Sequence, residues 1–281
     1  MTLTCLVCGK TDIKVSFEKS GINYYECRDC SFRFSMPSKN PNFKQTIDEY
    51  EPAYQSYLAE QPSDLPNFKA ALRWMELFHP LSDANAAHLD VGAGSGKFID
   101  YIRSKRPCKS MGIEPSRALF DAFCLADKGI ECKVFEDFAQ STELRFNVIT
   151  AFDVLEHLPD PCGFFEGARK LLTDGGYLFI STPDVGALVP KVMGKQWYHY
   201  NAYHLAYLNR QTMAKLAQKH GFEIVEFSHK SKRISLKYLF NYGKEFLFRI
   251  KSVAPTHGSE NASTIPMNLF DIMYVVLKRT N

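Results

Sequence analysis

The sequence HLDVGAGSG, residues 88–96, decides the fold of this chain because it joins an apolar strand to a helix through a glycine-rich turn. Glycines in such a turn let the backbone approach a ligand closely, and the first N–H groups of the helix predicted from Lys97 add hydrogen-bond donors. No Gly-Lys-Ser/Thr sequence follows, so a phosphate-binding P-loop is disfavoured. The turn therefore indicates a nucleoside cofactor without selecting which one.

An acidic residue at the end of the next strand narrows the choice of cofactor. Glu114 follows Gly92 by 22 residues, in the sequence GIEPS. A carboxylate at this place can accept hydrogen bonds from the two ribose hydroxyls of a nucleoside cofactor. Both NAD and S-adenosylmethionine satisfy this pattern.

Strand-like and helix-like segments alternate from residue 85 onward. This alternation is typical of a doubly wound α/β sheet, and we predict that fold class. Asn209 is predicted to cap a helix that ends at Gly221, and another helix is expected near residues 234–250. The predicted strands are AAHLDVG, SMGIE, CKVF, FNVITAFD, GGYLFIST, FEIVEFSH and DIMYVVLKR.

Two CxxC pairs lie near the amino end, whereas the other four cysteines are scattered; the paired residues are Cys5, Cys8, Cys27 and Cys30. Four thiolates can surround a zinc ion at about 2.3 Å, which gives a segment too short for its own core a reason to fold. Coincidental cysteines or a redox pair are the alternatives. The predicted units are a zinc ribbon (1–36), a linker with a helical lead-in (37–84) and the main domain (85–281).

Composition and charge limit the classes of protein to which the chain can belong. The 281 residues are 45% hydrophobic and 23% charged, which is ordinary for a globular chain. The net charge is only +3, so a nucleic-acid partner is disfavoured. No apolar run is long enough to span a bilayer and the first residues do not resemble a signal peptide, so we predict a cytoplasmic protein. The basic, apolar stretch 230–251 is a candidate for peripheral membrane contact or for a polyanionic substrate, and packing on the sheet is the alternative.

Several motifs in this order resemble class I S-adenosylmethionine-dependent methyltransferases over about residues 85–230. The motifs are LDVGAGSGKF, Glu114, DVLEHLPDP at 153–161 and LLTDGGYLFISTP at 171–183. This resemblance implies a Rossmann-like sheet of seven strands. DVLEHLPDP is similar to the small-molecule branch that includes the ubiquinone-pathway O-methyltransferases. The added ribbon resembles bacterial methyltransferases of polysaccharide and secondary-metabolite clusters, including sugar methyltransferases.

The resemblance assigns the glycine-rich loop and its acidic partner to S-adenosylmethionine. Asp90, Gly92, Gly94 and Gly96 would lie under the methionine and ribose portions of the cofactor. Glu114 would hold the ribose diol.

Three further residues are implied near the cofactor. Glu136 belongs to the stretch after the third strand, where the family contacts adenine. Phe152 and Asp153 end the fourth strand and would lie beside the reacting methyl group. Core packing is the alternative role for Phe152.

The sequence Asp153-x-x-Glu156-His157 offers three side chains of metal-ligand type at the end of that strand. Such a set could bind Mg²⁺ or serve acid and base roles. Related quinone O-methyltransferases use a similar set to bind a metal. The alternative is that Glu156 and His157 only cap and orient the loop before Pro159.

Aromatic residues and histidines crowd residues 194–207, GKQWYHYNAYHLAY. The segment resembles the family's Trp…His-Leu-x-Tyr/Phe segment over the acceptor pocket, although Tyr203 precedes His204 where relatives often show Pro-Glu-His. His204 is a candidate base because an imidazole titrates near pH 6.5. His157 is the alternative base or a metal ligand, and a structural role is the alternative for His204.

These features predict a methyltransferase that acts on a small or carrier-linked molecule, at a hydroxyl of a sugar or a related metabolite. Direct displacement from the sulfonium needs in-line positioning, a dry pocket and removal of one proton. An RNA methyltransferase that grips nucleic acid with its ribbon is the alternative. The near-neutral charge and the lack of an Asn/Asp-Pro-Pro-Tyr motif disfavour it. A non-enzymatic binding module is disfavoured because the cofactor motifs are intact.

Overall fold

A computed structural model of the chain describes residues 3–37, 65–235 and 264–280. The strands are β1 Ile13–Lys19, β2 Ile22–Cys27, β3 Arg33–Pro37, β4 Ala87–Val91, β5 Lys109–Ile113, β6 Ile130–Glu131, β7 Phe146–Phe152, β8 Leu172–Pro183, β9 Ala206–Tyr207, β10 Phe222–Ser228, β11 Lys232–Ser235, β12 Thr264–Met267 and β13 Ile272–Arg279. The α-helices are α1 Leu65–Glu76, α2 Lys97–Lys105, α3 Arg117–Ala122, α4 Phe135–Ser141, α5 Pro161–Leu171, α6 Leu188–Met193 and α7 Arg210–Lys219. Short 3₁₀ turns cover Leu125–Lys128, Leu155–His157 and Gly194–Gln196.

Seven strands of the described chain form the main sheet, in the order β6-β5-β4-β7-β8-β13-β10. The pairs from β6 to β8 are parallel, whereas β13 runs antiparallel to both of its neighbours. The parallel strands are mostly buried and mainly apolar because helices cover both faces of the sheet. The predicted doubly wound α/β fold with seven strands is confirmed.

Two layers of helices bury the two faces of this sheet. Consecutive strand residues point to opposite faces, so Val148 of β7 packs with α1 and α2 while Ile149 packs with α4, α5 and α7. Both side chains are fully buried. The core is therefore continuous through the sheet, and it holds the strand ends in fixed positions.

The strand order sets where a ligand can bind. The chain leaves β4 to pair first with β5 on one side and later with β7 on the other. In open parallel sheets, a crevice forms at the carboxyl ends of the strands where the order reverses. The loop 92–96, Glu114 and Asp153 all follow strands at this edge.

The ribbon, residues 3–37, contributes β1, β2 and β3 to an antiparallel sheet. The fourth strand of that sheet is β9, which belongs to the main domain. Buried ribbon residues such as Phe32 also join the main hydrophobic core. The ribbon is thus packed against the main domain and shares a sheet with it. A separate pair, β11 with β12, forms a two-stranded sheet.

Most local expectations agree with the structure. Asn209 caps α7 through a capping box with Thr212, and the helical lead-in predicted within residues 37–84 appears as α1. The strand predicted at CKVF is wrong: β6 is only Ile130–Glu131, and Phe135 begins α4. Phe135 and Phe138 are three residues apart, so a helix buries both rings on one side whereas a strand would separate them.

Some sequence expectations lie outside the described residues. Residues 236–250 of the predicted helix, most of the basic stretch 230–251 and linker residues 38–64 belong to this group. The first two residues of that predicted helix, 234–235, are described and instead end strand β11, where they pair with β12. Within the described parts of the chain, none of the helices has the length and apolar character needed to cross a bilayer.

Candidate active site

The glycine-rich loop requires glycine at defined positions. Gly92 and Gly96 have φ values of +71° and +72°, in the left-handed region that glycine adopts without strain. A Cβ at Gly92 would lie 2.7 Å from Cγ2 of Val154, and one at Gly96 would lie 2.8 Å from Cδ1 of Ile130. Gly94 is also left-handed, at +55°. The loop is therefore tightly packed against Val154 and Ile130, at the carboxyl end of β4.

Glu114 lies against this loop, as the sequence predicts. Its side chain is buried, and its Oε2 accepts a hydrogen bond of 2.8 Å from the backbone N–H of Gly94. Its Oε1 accepts a 2.9 Å bond from the N–H of Ser116. Each carboxylate oxygen can accept more than one hydrogen bond, so a pair of ligand hydroxyls fits the same group.

Asp90 anchors the other side of the loop. The hydroxyl of Thr150 donates to its Oδ1 at 2.6 Å. Burial raises the pKa of Asp90 to about 7, because few polar groups replace water around the carboxylate. Asp90 is therefore poised between its neutral and charged forms near neutral pH.

A buried histidine that the sequence interpretation missed completes this network. His88 lies with one ring nitrogen 2.8 Å from Oγ of Ser110 and the other 2.9 Å from Oγ1 of Thr150. Burial, with a smaller effect of Arg103, lowers its pKa to about 3. His88 and Asp90 share one face of β4, and polar residues at alternate positions of an apolar strand were the available signal.

The other predicted cofactor residues occupy different surroundings. Glu136 lies in the first turn of α4 and is half-buried. The ring of Phe152 packs 6.2 Å from that of Trp74 and 5.9 Å from that of Phe98, measured between centroids. Aromatic packing thus accounts for Phe152, and cofactor contact for Glu136 and Phe152 stays a prediction.

Asp153 has an unusual backbone conformation directly after β7. Its φ is +56°, which is strained for a residue other than glycine, and its N–H bonds to the carbonyl of Ser181 at 2.9 Å. The Ser181 hydroxyl donates to Oδ1 at 2.7 Å and Lys232 donates to Oδ2. Desolvation in the crevice is outweighed by the Lys232 ammonium, so the pKa of Asp153 lies below its ordinary value.

Glu156, His157 and His204 come together although they are distant in sequence. One ligand-type atom of each lies within 4.8 Å of the others. The hydroxyl of Thr182 donates to Glu156 at 2.8 Å. Burial, reinforced by Asp153, raises the pKa of Glu156 to about 8. The sequence placed His204 in a lid over the pocket, and the structure brings it against the predicted Glu-His pair.

The two histidines present their ring nitrogens differently. Nδ1 of His157 is 2.9 Å from the carbonyl of Tyr203, so Nδ1 carries the proton and Nε2 keeps its lone pair. Nδ1 of His204 is buried without a hydrogen-bond partner among the described residues. Burial lowers the pKa of both, and neighbouring histidines lower that of His204 further. Each imidazole is therefore neutral near pH 7, the form in which one ring nitrogen keeps its lone pair.

This donor set does not suit Mg²⁺. That ion prefers six oxygen ligands, whereas two of the three groups here are imidazoles and the third is a carboxyl with a raised pKa. Asp153, the predicted third ligand, lies outside the cluster and is paired with Lys232. The predicted Asp153–Glu156–His157 metal set is therefore not assembled, and the proposed reaction does not use Mg²⁺.

The lid, residues 194–207, is more deeply packed than a surface loop. Trp197 is fully buried, and its Nε1 donates to Asp271 at 3.0 Å. The rings of His199 and His204 stack with centroids 5.5 Å apart, and burial lowers the pKa of His199 to about 4. Tyr200 and Tyr207 also pack on ribbon rings, so packing accounts for many of the lid's aromatic residues.

The four ribbon cysteines form a compact cluster. Their sulfurs lie within 4.8 Å of one another, with 3.5 Å between Cys5 and Cys30 and between Cys8 and Cys27. Tetrahedral zinc with bonds of about 2.3 Å separates its sulfurs by about 3.8 Å. None of the four forms a disulfide. Both the donor type and the spacing fit a structural zinc ion.

Comparison with known proteins agrees with this fold and site. Residues 57–227, more than half of the chain, match a family model described as a methyltransferase domain. Among solved structures, an S-adenosylmethionine-dependent methyltransferase from Archaeoglobus fulgidus is similar with a TM-score of 0.53 and 15% identity, over 77% of this chain and 95% of that one. The YcgJ protein of Bacillus subtilis is similar with a TM-score of 0.52 and 10% identity, over 76% and 99%. At these identities the likeness confirms the fold.

Curated relatives share only part of their length with the chain. A ubiquinone biosynthesis O-methyltransferase of Alkalilimnicola ehrlichii is 32% identical over 100 residues, which are 34% of this chain and 40% of the relative. The protein of the same name from Hydrogenovibrio crunogenus is 32% identical over 104 residues, which are 35% and 43%. The chain thus spans less than half of the length of these two relatives.

Proposed function

The chain belongs to the methyltransferase domain family, and from this premise we propose that it transfers the methyl group of S-adenosylmethionine to a hydroxyl of a small or carrier-linked metabolite. The observation that carries the proposal is the arrangement of Gly94 and Glu114, where a buried carboxylate is held against a left-handed glycine loop at the sheet's crevice. A nucleoside with a ribose diol matches these donors and acceptors.

The cofactor would supply an activated methyl group on a sulfonium. The protein must then hold the acceptor oxygen in line, exclude water and remove one proton. His204 is the proposed base because its buried Nδ1 has no partner among the described residues. His157 is the alternative, since the hydrogen bond of its Nδ1–H to the carbonyl of Tyr203 makes Nε2 the nitrogen with the acceptor lone pair.

The neutral forms of four neighbouring side chains support a neutral acceptor. Burial favours the uncharged forms of His157, His199 and His204, and it also raises the pKa of Glu156 to about 8. An ionic acceptor would meet no opposite charge among these four groups. A sugar or a related hydroxyl compound, free or carrier-linked, can instead exchange hydrogen bonds with imidazole nitrogens and a protonated carboxyl.

Structural zinc on the four cysteines and a cytoplasmic site of action are parts of the same proposal. The zinc rests on the sulfur geometry, and the location rests on the sequence. Peripheral contact with a membrane through residues 230–251 would suit a lipid-carrier-linked acceptor. Nucleic acid stays disfavoured as a partner because the net charge is only +3.

Calorimetry with S-adenosylhomocysteine tests cofactor binding. Glu114→Ala removes a charge-assisted hydrogen-bond acceptor, so the Kd should rise by about 10- to 150-fold, which corresponds to roughly 1.5–3 kcal/mol. Glu143→Ala is the matched control because that side chain is 90% exposed. Tighter binding of NADH than of S-adenosylhomocysteine, or equal Kd values for the two variants, would refute the assignment.

The acceptor class is tested separately. Cell extract is incubated with the protein and S-adenosylmethionine that carries a labelled methyl group, and the glycan, lipid, small-molecule, RNA and protein fractions are counted. We expect label in the glycan, lipid-carrier or small-molecule fraction. Label in RNA would instead support the nucleic-acid alternative.

A further inference from the structure

Hydrogen-bond donors of the ribbon hold the backbone of the lid. The Lys19 ammonium donates to the carbonyl of Trp197 at 3.2 Å and to that of Tyr200 at 2.7 Å. The hydroxyl of Tyr24 donates to the carbonyl of Asn201 at 3.3 Å. These contacts link residues that are far apart in the sequence, so the lid's path depends on the ribbon.

Strand β3 of the ribbon also bonds to the backbone of the proposed base, His204. The Ser35 hydroxyl donates to the carbonyl of His204 at 2.8 Å, and the Ser35 N–H donates to the carbonyl of Leu205 at 3.0 Å. Just beyond, Phe34 pairs with Ala206 in the β3–β9 ladder. Ser35 is buried, so water does not replace its hydroxyl easily.

Residues 203–205 also bond to the 3₁₀ turn after β7. The N–H of Leu205 donates to the carbonyl of Glu156 at 2.7 Å, and Nδ1–H of His157 donates to the carbonyl of Tyr203. Residues 203–205 are therefore held from two sides, by the ribbon and by the turn. These bonds fix the backbone that carries His204, and its imidazole then packs edge to face on the His157 ring at 4.8 Å and stacks on the His199 ring at 5.5 Å.

We propose that Ser35 is a positioning residue for His204, and that the ribbon is the scaffold of the acceptor lid. The proposal rests on the proposed function, in which His204 takes up the proton that the methylated hydroxyl releases. Cys27 ends β2 and Cys30 lies in the turn that leads into β3. A zinc ion on these thiolates would fix that turn and, through β3, the lid.

The proposal predicts separate effects on the lid and on the cofactor crevice. Glu114 and the loop 92–96 follow β5 and β4 of the main sheet, and the carboxylate accepts hydrogen bonds from Gly94 and Ser116, which also belong to the main domain. A change at Ser35 should therefore disturb His204 and leave S-adenosylhomocysteine affinity unchanged.

Nuclear magnetic resonance of ¹⁵N-histidine-labelled protein tests this directly, with the His204 imidazole signals assigned from His204→Gln. Ser35→Ala should shift or broaden these signals, and Ser35→Thr, which keeps the hydroxyl, should restore them. Ser104→Ala is the matched control because that hydroxyl bonds within α2, to the carbonyl of Tyr101. Unchanged His204 signals in Ser35→Ala would overturn the proposal. Once the labelled acceptor fraction is known, turnover in Ser35→Ala should fall by about 10- to 100-fold, because small misplacements of a base are costly.

A second measurement does not depend on the stability of the Ser35 variants. Trp74→Phe leaves Trp197 as the only tryptophan, and acrylamide quenching then reports the exposure of the lid. Removal of zinc with a strong chelator should increase quenching while S-adenosylhomocysteine still binds. Unchanged quenching after verified zinc loss would overturn the scaffold role. Failure of the wild type to bind S-adenosylhomocysteine would refute the proposed function without affecting either readout.

Discussion

Asp90→Asn should have a free energy of unfolding that increases, relative to that of the wild type at the same pH, as the pH rises. Burial raises the pKa of Asp90 to about 7, from an ordinary value of 3.8. The unfolded chain therefore releases this proton near pH 4, whereas the folded protein keeps it up to about pH 7. Between these values the folded state binds one more proton, so this group lowers wild-type stability progressively as pH rises.

The size of the effect follows from the same two values. One pKa unit corresponds to 1.36 kcal/mol, so the interval from pH 5 to about pH 7 contributes about 3 kcal/mol. An asparagine at this position has no proton to release, and its amide oxygen can still accept the hydrogen bond from Thr150. The free energy of unfolding of Asp90→Asn, minus that of the wild type, should therefore increase by about 3 kcal/mol from pH 5 to pH 8.

Urea unfolding followed by circular dichroism at several pH values measures this difference. Glu156, whose pKa is also raised by burial, is present in both proteins, so its contribution cancels. Asp100→Asn is the control because that carboxylate lies on α2 with a side chain 48% exposed, and its difference should stay within about 0.5 kcal/mol. A difference for Asp90→Asn that is flat with pH would show that the carboxylate is not held in a desolvated site.

Three further predictions concern the metal, the base and the loop. The purified protein should contain about one zinc ion per chain, and Cys27→Ser with Cys30→Ser should lose it by elemental analysis while S-adenosylhomocysteine still binds; full zinc content would place the ion elsewhere. His204→Gln should lower kcat by about 10²- to 10⁴-fold at unchanged cofactor affinity, whereas an effect confined to His157→Gln, together with a rate that depends on added Mg²⁺, would favour a metal-assisted step. Gly92→Ala should lower the free energy of unfolding, measured in urea, by about 1–3 kcal/mol. The alanine Cβ would lie 2.7 Å from a valine methyl, and a φ of +71° is strained for alanine; unchanged stability would refute the packing argument.

Much of the fold was predictable because its signals are local. Glycine spacing, strand and helix periodicity and the Asn209 cap each depend on a few neighbouring residues, and the structure has them where the sequence indicates. The CKVF strand failed because Phe135 and Phe138 satisfy helical spacing equally well and pack into the core. Short apolar runs do not distinguish strand from helix until the surrounding core is known.

The site was only partly predictable because it is built by contacts between distant segments. The meeting of His204 with Glu156 and His157 depends on β3 pairing with β9, and no local pattern reports that pairing. Lys232 reaches Asp153 from a strand far along the chain, which removes Asp153 from the metal set that its spacing suggests. Residue types indicated the chemistry, whereas the partners of each group depended on tertiary structure.

The position of β13 has a consequence for how the protein is made. It is the last of the described strands to leave the ribosome, yet it lies between β8 and β10 and buries Met273, Val275 and Leu277 completely. Until residue 279 has emerged, β8 has an unpaired edge and β10 has no neighbour on the main sheet. Until then the nascent chain exposes an unpaired, apolar sheet edge. Chaperones shield such surfaces, and strands of other chains can pair with them.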